Sequence, residues 1–316
     1  MNYTVIIPFY NEEKNISILN EQLVQNINKL TKEDRVFEII YVDDASKDDS
    51  FNELKKISSN KIETSVIQHR VNLSQSGALN TGINHSKYEN LIIMDGDLQN
   101  DPNDLEKMIL EYEKGMDMII GWRKERRDNF FSKTLPSIIA NFIVRFFSKS
   151  KIHDHGCAFK IVKKSAIDEL TNWGDFHRLL AARVANNGYK VGEIIVTHNQ
   201  RVHGKSNYGF SRIFKLTVDL LYINFFRNYK RKAIYFFGSF AFFSILFSLI
   251  TFCIMLYRKY FLGGSFILTP LPILVVFFLL AGIIFLFIGI LAQLIINQQE
   301  DAKNVNKVIK EKIHFK

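Results

Sequence analysis

Residues 90–102 read NLIIMDGDLQNDP, and this stretch decides the fold class of the 316-residue chain. Leu91 to Met94 form an apolar run with the length of a buried strand, and the run ends abruptly in Asp95-Gly96-Asp97. Two carboxylates just beyond a strand lie where a parallel α/β sheet exposes its ligand crevice. Gly96 places no side chain between them, so a bulky ligand can approach the backbone. The stretch therefore predicts a sheet strand followed by a ligand site rich in oxygen atoms.

The oxygen atoms of this turn are of the kind that bind Mg²⁺ or Mn²⁺. Asp95 and Asp97 supply carboxylates and Gln99 adds a neutral oxygen, and such ions usually keep phosphate oxygens as further ligands. These three residues are the predicted metal ligands. Pro102 fits the first turn of a following helix. The alternative interpretation is a polar strand-to-helix turn that Asp101 caps.

Strand and helix patterns alternate on both sides of this turn. Apolar strand patterns lie at 3–8, 37–42, 64–68, 91–94, 117–121 and 190–198. Helical patterns lie at 15–30, 50–58, 74–86, 102–114, 165–171 and 177–187. This alternation predicts an α/β domain over residues 1–210, built from βαβ units around a mostly parallel sheet.

Polar residues also follow the first two predicted strands, and in a parallel sheet such strand ends line one rim. The sequence contains neither a G-x-G-x-x-G pattern nor a P-loop, which argues against a dinucleotide fold or a P-loop enzyme. The economical interpretation is a nucleotide held by carboxylates at the strand ends, with its phosphates on a metal. The predicted donor-binding residues are Pro8, Tyr10, Asn11, Glu12, Asp43, Asp44, Asp95 and Gly96. The alternative for the Asp43-Asp44 pair is a solvated turn.

The charge balance and the two cysteines limit the class of protein. The net charge is +9 and the pI is about 9.3, which suggests nucleic acid or anionic lipid as a partner. Cys157 and Cys253 lie far apart, which argues against a disulfide scaffold and fits a domain in reducing cytosol. No secretory signal opens the chain, so we expect the N-terminal domain to stay in the cytosol.

Four motifs in this order resemble the family 2 glycosyltransferases with a GT-A fold. They are P-x-Y-N-E-E at 8–13, V-D-D-A-S-K-D at 42–48, GALNTG at 77–82 and MDGDLQNDP at 94–102. More narrowly, the chain resembles polyprenyl-phosphate glycosyltransferases related to dolichyl-phosphate mannose synthase and bactoprenol glucosyltransferase. The resemblance implies metal-dependent, inverting transfer of a sugar from a nucleotide-sugar, with UDP-glucose favoured, to polyprenyl (undecaprenyl) phosphate for cell-envelope glycosylation.

A basic cluster at 121–128 follows the strand at 117–121. Arginine is the natural partner of phosphate because of its charge and its planar fork. The resemblance implies that Arg123 lies near the reacting phosphates, and Arg126 and Arg127 are further candidates for phosphate binding. The alternative is a solvated run of charges.

The segment at 152–160 resembles a family segment in which an acid faces the acceptor, so Asp154 is predicted to position the acceptor. Asp95, Asp97, Arg123 and Asp154 thus form the predicted catalytic set. The neighbouring His153 and His155 do not gather enough ligands for a zinc site, and we expect both at the surface or the membrane interface.

Residues 200–208, QRVHGKSNY, resemble the R-x-x-G-x-S-x-Y loop of the family. Glycine, serine and two cations are typical of a loop that binds phosphate. Arg201, Lys205 and Ser206 are therefore predicted to bind the donor diphosphate or the acceptor phosphate. The alternative is an ordinary basic linker.

The last third of the chain is predicted to lie at or in a membrane. Residues 233–257 and 271–297 are uncharged and long enough to span a bilayer. Residues 130–148 and 211–232 mix apolar and basic residues, as interfacial helices do, although 130–148 could also be a core helix. Positive charge is heavier outside the two spans than between them, so both termini, with the basic tail at 298–316, are predicted to be cytosolic in the cell membrane.

Anionic lipid and phosphates account for the basic charge, so no nucleic-acid partner is expected. The oligomeric state stays open, and the two spans permit a homo-oligomer. A family 2 enzyme with another membrane acceptor, such as a glycolipid, diacylglycerol or a polysaccharide, would share the donor site. A non-catalytic nucleotide-sugar-binding scaffold is a further alternative, and metal-dependent transfer would exclude it.

Overall fold

A computed structural model describes residues 1–31, 35–56, 62–124, 144, 152–167, 176–199, 225, 229, 232–266 and 269–304. The chain divides into two compact units, residues 1–223 and 224–316. The predicted interface helices at 130–148, the juxtamembrane helix at 211–232 and the tail at 298–316 lie mostly outside the described residues. Their structures therefore stay predictions.

The first unit alternates strands and helices along the chain. Its elements are β1 (Asn2–Phe9), α1 (Glu13–Leu30), β2 (Val36–Asp43), α2 (Ser50–Lys55), β3 (Glu63–Gln68), α3 (Ser74–His85), β4 (Asn90–Ile93), a 3₁₀ turn (Pro102–Asp104), α4 (Leu105–Tyr112), β5 (Met118–Trp122), β6 (Lys160–Lys163), α5 (Lys164–Ile167), α6 (Phe176–Asn186) and β7 (Val191–Ile195). The predicted α/β class is confirmed.

The strands form one mostly parallel sheet in the order β3-β2-β1-β4-β6-β5-β7. β6 runs antiparallel to both β4 and β5, and this strand was not predicted. Its first residue, Lys160, pairs with Ile93 at the end of β4. The carboxyl ends of β1, β2 and β4 therefore meet the start of β6 along one rim.

The core explains why these segments form their elements. Seven of the eight residues of β1 are buried, as expected for a strand covered on both faces. Helix α1 buries the predicted stripe of apolar residues, which are Ile16, Leu19, Leu23, Ile27 and Leu30.

Helix α3 packs closely against β1 at Gly82. A Cβ atom at Gly82 would lie 2.4 Å from Cγ2 of Ile6, so the position requires glycine. The small residues Ser76, Gly77 and Ala78 of the same helix also favour close approach by their size. There, a Cβ at Gly77 would meet Leu73 in the adjoining turn rather than the sheet.

The second unit contains α7 (Ala233–Phe261) and α8 (Leu271–Asn304). Both helices are long and apolar enough to cross a membrane by length and composition. They pack together closely, because a Cβ at Gly282 would lie 2.6 Å from Cγ1 of Ile245 and 3.2 Å from the carbonyl oxygen of Ala241. They contain the predicted spans at 233–257 and 271–297, whose position in a bilayer stays a prediction.

Candidate active site

Backbone strain is concentrated in the loops that follow the first four strands. In the described part of the chain, the non-glycine residues with positive φ are Asn11 (56°), Ala45 (62°) and Leu98 (60°), in the loops after β1, β2 and β4, and Ser74 (67°), the first residue of α3 after the β3 loop. Left-handed backbone costs such residues roughly 1–2 kcal/mol, and strain of this kind clusters at functional sites. The strained residues thus mark the rim predicted from the sequence.

The loops after β1 and β2 are joined by hydrogen bonds. The Asn11 N–H donates to Ser46 Oγ at 2.9 Å, and the Lys47 N–H donates to Asn11 Oδ1 at 2.8 Å. The N–H of Glu12 donates to Ser50 Oγ at 2.9 Å. Asn11 and Glu12, two predicted donor-binding residues, therefore also fix the shape of the rim.

The other two predicted donor-binding residues from this strand end differ in exposure. Pro8 is buried in β1, whereas Tyr10 is 39% exposed beyond the strand. Of the two, Tyr10 presents a ring that a ligand can reach.

The two acids at the carboxyl end of β2, Asp43 and Asp44, are buried and hydrogen-bonded. Oδ2 of Asp43 accepts from Gln68 Nε2 at 2.8 Å. Oδ1 of Asp44 accepts from the Leu73 N–H at 2.7 Å and lies 2.9 Å from His69 Nδ1. The pair is therefore not a solvated turn, and it ties together the loops after β2 and β3. Contact with a nucleotide stays a prediction.

Asp95 and Asp97 lie partly buried at the end of β4. Burial, and then the charge of Asp97, raise the pKa of Asp95 to about 7, although the nearby positive charges of Lys160 and Arg123 oppose this. Gly96 between the two acids is required, because a Cβ there would lie 2.9 Å from Cβ of Phe9.

The side chains of this turn fit a divalent cation. Within the described ranges, no group of three or more His, Cys, Asp or Glu side chains forms a metal cluster. Mg²⁺, however, is commonly bound through one or two protein carboxylates, with water and substrate phosphates as the remaining ligands. Asp95 and Asp97 match that pattern, and their mutual repulsion would be relieved by a cation. Asp101 also caps the 3₁₀ turn, since its side chain accepts from the Asn103 N–H.

The segment after β7 is attached to the loop after β4. The Asn199 N–H donates to the carbonyl oxygen of Gln99 at 2.9 Å, and the Thr197 N–H donates to Asp104 Oδ2 at 2.5 Å. Asn199, the last described residue of this segment, therefore lies beside the predicted metal ligand Gln99. The predicted phosphate-binding residues Arg201, Lys205 and Ser206 follow Asn199 in the sequence and lie outside the described residues.

Arg123 and Asp154 form a bidentate ion pair. Nε of Arg123 donates to Oδ2 of Asp154 at 2.8 Å and Nη2 donates to Oδ1 at 3.0 Å. Asp154 is 2% exposed. Asp154 is therefore placed to orient Arg123, and its contact with an acceptor stays a prediction. Arg126 and Arg127 lie outside the described residues.

The two histidines near Asp154 differ. His153 is exposed, hydrogen-bonds to Glu193, and stacks on Trp122 with ring centroids 4.4 Å apart. His155 is 1% exposed, so the prediction of a surface histidine is wrong there. His155 lies in the loop directly before β6, a strand that the sequence pattern did not predict.

Two polar residues at the site were not predicted. Gln75 Nε2 donates to Asp95 Oδ1 at 2.5 Å. Lys160 is 3% exposed, its Nζ donates to the carbonyl oxygen of His177 at 2.6 Å, and burial lowers its pKa to about 8. A charged residue at the edge of an apolar segment was the available signal for Lys160, but without β6 it could not be placed beside Asp95.

Comparison of the sequence with models of known protein families identifies the family of this chain. The family model Glycosyl transferase family 2 matches residues 4–171, which contain Asp95, Asp97, Arg123 and Asp154. The chain belongs to this family. It is thus a glycosyltransferase, and the strained rim with its acids lies within the matched residues.

Curated relatives of this glycosyltransferase are named as polyprenyl-phosphate sugar transferases. It is 32% identical to a dodecaprenyl-phosphate galacturonate synthase of Rhizobium johnstonii over 299 residues, 93% of this chain and 88% of that protein. It is 30% identical to an undecaprenyl-phosphate 4-deoxy-4-formamido-L-arabinose transferase of Proteus mirabilis over 69% of this chain. The matched region spans 66% of the Proteus protein.

A solved structure supports the fold of this family 2 transferase. The glucosyl-3-phosphoglycerate synthase of Mycobacterium tuberculosis, in complex with phosphoglyceric acid, aligns with a TM-score of 0.52. The alignment covers 72% of this chain and 79% of that chain at 10% identity, which identifies the GT-A fold alone.

Proposed function

We propose that the enzyme transfers a sugar from a nucleotide-sugar to polyprenyl phosphate at the cytosolic face of the cell membrane. The product would be a polyprenyl-phosphate-sugar for cell-envelope glycosylation. One observation carries this proposal, which is the match of 93% of the chain to a dodecaprenyl-phosphate galacturonate synthase. A match of that length includes most of both apolar helices as well as the catalytic domain.

The rim formed by β1, β2 and β4 would bind the donor. Its acids and amides suit the hydroxyls and N–H groups of a nucleoside, and Asp95 and Asp97, with Gln99, would hold Mg²⁺ or Mn²⁺. A divalent cation there would offset the charge that builds up on the departing nucleoside diphosphate. The Asn11–Ser46 contact and the glycine at 96 would keep this rim open and ordered for the donor.

The acceptor phosphate would act as the nucleophile. A phosphate monoester has a second pKa of about 6 and is largely ionised at cytosolic pH, so a strong general base is unnecessary. Its oxygen would form a bond to the anomeric carbon while the bond from that carbon to the diphosphate oxygen breaks, which inverts the anomeric configuration. Arg123, oriented by Asp154, would hold the phosphate in line for this step.

Each part of the chain has its own role in the proposed function. Residues 1–210 would be catalytic, 233–257 and 271–297 would anchor the enzyme, and both termini would be cytosolic. The attachment of Asn199 to Gln99 supports a role in phosphate binding for the basic residues that follow. We propose that Arg201, Lys205 and Ser206 bind phosphate, with Arg126 and Arg127 as further candidates.

The sequence and the two named relatives favour different sugars. UDP-glucose is the donor favoured from the sequence, whereas the two relatives are named for galacturonate and for 4-deoxy-4-formamido-L-arabinose. We therefore propose a donor panel that contains UDP-glucose, UDP-galacturonate, UDP-N-acetylglucosamine and GDP-mannose, each radiolabelled in the sugar.

The test uses the purified full chain in detergent with undecaprenyl phosphate and each donor. We expect one donor to give label that extracts into organic solvent and is released by mild acid. The control reaction omits the polyprenyl phosphate. Label transferred equally to diacylglycerol or a polysaccharide without polyprenyl phosphate would overturn the proposed acceptor.

Asp97→Asn tests the metal site. This change removes one carboxylate charge and keeps the shape of the side chain, so we expect transfer to fall by a factor of about 1,000, or about 4 kcal/mol, with an unchanged melting temperature. Asp101→Asn, which alters the neighbouring cap, is the matched control and should retain activity. Equal transfer by the wild type before and after exhaustive chelation would refute metal dependence.

A further inference from the structure

Gln75 is the described residue that hydrogen-bonds to Asp95, and its Nε2 lies 2.5 Å from Oδ1 of that acid. It stands in the first turn of α3, directly after Ser74, whose left-handed backbone turns the chain into the helix. The amide is thus carried on a helix rather than on a loop. The described residues give no hydrogen bond to Oδ2 of Asp95, which leaves that oxygen for another ligand.

The first turn of α3 also contacts the start of α6. Ser76 Oγ lies 2.8 Å from Nδ1 of His177, at the start of α6. The carbonyl oxygen of His177 accepts from Nζ of the buried Lys160, and Lys160 pairs with Ile93 two residues before Asp95. Helices α3 and α6 and strand β6 therefore meet around this acid, so the turn that carries the amide cannot shift independently.

A ligating carboxylate must present one oxygen in one direction, yet its side chain rotates about two bonds. Hydrogen bonds from residues outside the ligand set fix that rotation, and losing one typically lowers metal affinity 10- to 100-fold. An amide N–H suits this task beside Asp97, because it donates to a carboxylate without adding another charge to the site. Gln75 has this chemistry, because its amide nitrogen donates to Oδ1 of Asp95.

We propose that Gln75 is a positioning residue that holds Asp95 by one oxygen and thereby presents the other to the divalent cation. This inference rests on the proposed function, because it takes Asp95 as a metal ligand. Gln75 acts through Asp95 and needs no contact with either substrate. Its loss should therefore weaken metal binding more than it slows the fully metal-loaded enzyme.

The test measures Mn²⁺ binding directly, on the full chain in detergent and without donor, from the electron paramagnetic resonance signal of free Mn²⁺. Gln75→Met nearly preserves the side-chain volume and removes the amide. We expect its Kd for Mn²⁺ to rise at least about tenfold. Asn84→Met, at an exposed position of the same helix, is the matched control and should bind as the wild type does.

Kinetics separate positioning from a purely structural role. The Gln75→Met enzyme should be slow at low Mn²⁺ and recover at least half of the wild-type kcat at saturating Mn²⁺. A low kcat that Mn²⁺ does not restore would overturn the inference. Gln75→Ala, which adds no bulk, is the second variant if the methionine lowers the melting temperature, and the same rise in Kd is expected.

The remaining outcomes distinguish this inference from the proposed function. Wild-type affinity in both Gln75 variants, with loss of binding in Asp97→Asn, would overturn the positioning role and leave the metal site standing. Mn²⁺ binding that Asp97→Asn does not alter would overturn the metal site itself, and the positioning role with it.

Discussion

Arg123 and Asp154 form an ion pair that is largely closed off from water, with 14% and 3% of their side chains exposed. Removing one member of such a pair leaves a buried charge without its partner and costs about 3–5 kcal/mol of stability. It also releases the guanidinium from its fixed orientation, and a 1 Å misplacement of a catalytic group can cost about 100-fold in rate. The pair therefore links stability to catalysis at one contact.

We predict that Asp154→Asn lowers kcat about 100-fold and lowers the melting temperature, as measured by transfer assay and thermal unfolding. The double variant Arg123→Met with Asp154→Leu separates the two effects. It replaces both charges with apolar groups, so stability should return while transfer stays lost. An active double variant would show that Arg123 does not serve the acceptor phosphate.

A second charged contact lies at the opposite end of the strands and makes stability depend on pH. Glu113 accepts hydrogen bonds from Arg35 at 2.7 Å and from the hydroxyl of Tyr3 at 2.8 Å. The Arg35 hydrogen bond is the main cause of a lowered pKa at Glu113, and burial opposes it. A carboxyl with a lowered pKa in the folded state stabilises the fold above its ordinary pKa of 4.5 and loses that effect as the pH falls through the lowered value.

We predict that Glu113→Gln lowers the free energy of unfolding by about 1–2 kcal/mol at pH 7, and that the difference from wild type shrinks below pH 4.5. Denaturant unfolding across this pH range measures both values. Glu111→Gln, which removes an exposed pair with Lys114, is the control and should change stability by less than about 1 kcal/mol. A difference that stays constant down to acid pH would contradict the assignment.

At the scale of elements, continuous apolar runs made the parallel strands predictable. β1 was predicted at 3–8 and is found at Asn2–Phe9, and β2 was predicted at 37–42 and is found at Val36–Asp43. β6 was not predicted, because its four residues, KIVK, contain only two apolar positions between lysines. Its place is set by β4 and β5, which cover it on both edges.

The sequence also predicted only part of the candidate active site. The acids could be predicted because each follows a strand in the sequence, and strand ends of a parallel sheet converge. The contact of Gln75 with Asp95 and that of Arg123 with Asp154 depend on side chains that meet across 20 and 31 residues. The spacing of residues in the sequence does not predict such contacts, because they depend on how the helices and loops pack on the folded sheet.

The contact between α7 and α8 gives a prediction at this scale. Gly282→Ile would force a side chain into Ile245 and the backbone of Ala241, and overpacking of this kind costs roughly 1–3 kcal/mol. We expect a lower melting temperature in detergent, measured by size-exclusion chromatography after heating. Gly238→Ile is the matched control, because nothing lies within 4 Å of a Cβ there. Equal melting of the two variants would argue against close packing at Gly282.

For the whole molecule, the distribution of charge predicts the orientation in the membrane. Lys230, Arg231 and Lys232 precede α7, whereas Arg258 and Lys259 in the last turn of α7 are the charged residues between the two uncharged spans at 233–257 and 271–297. The more basic sides of a helical hairpin stay in the cytosol. The loop between α7 and α8 is then expected on the outer face.

Cysteine labelling of intact cells tests this orientation. In a Cys253→Ser background, where Cys157 is buried, Ser265→Cys should react with a membrane-impermeant maleimide before lysis. Asn84→Cys, exposed on α3, should react only after lysis. Labelling of the α3 cysteine in intact cells would reverse the proposed topology.

Helix α8 is longer than a bilayer requires. Its 34 residues correspond to about 51 Å, whereas the hydrocarbon layer is about 30 Å thick. Since the uncharged residues lie at 271–297, the surplus falls at the carboxyl end. A hairpin embedded in this way would extend the last turns of α8 through the headgroup layer into the water, so that Asn304 would lie beyond the lipid.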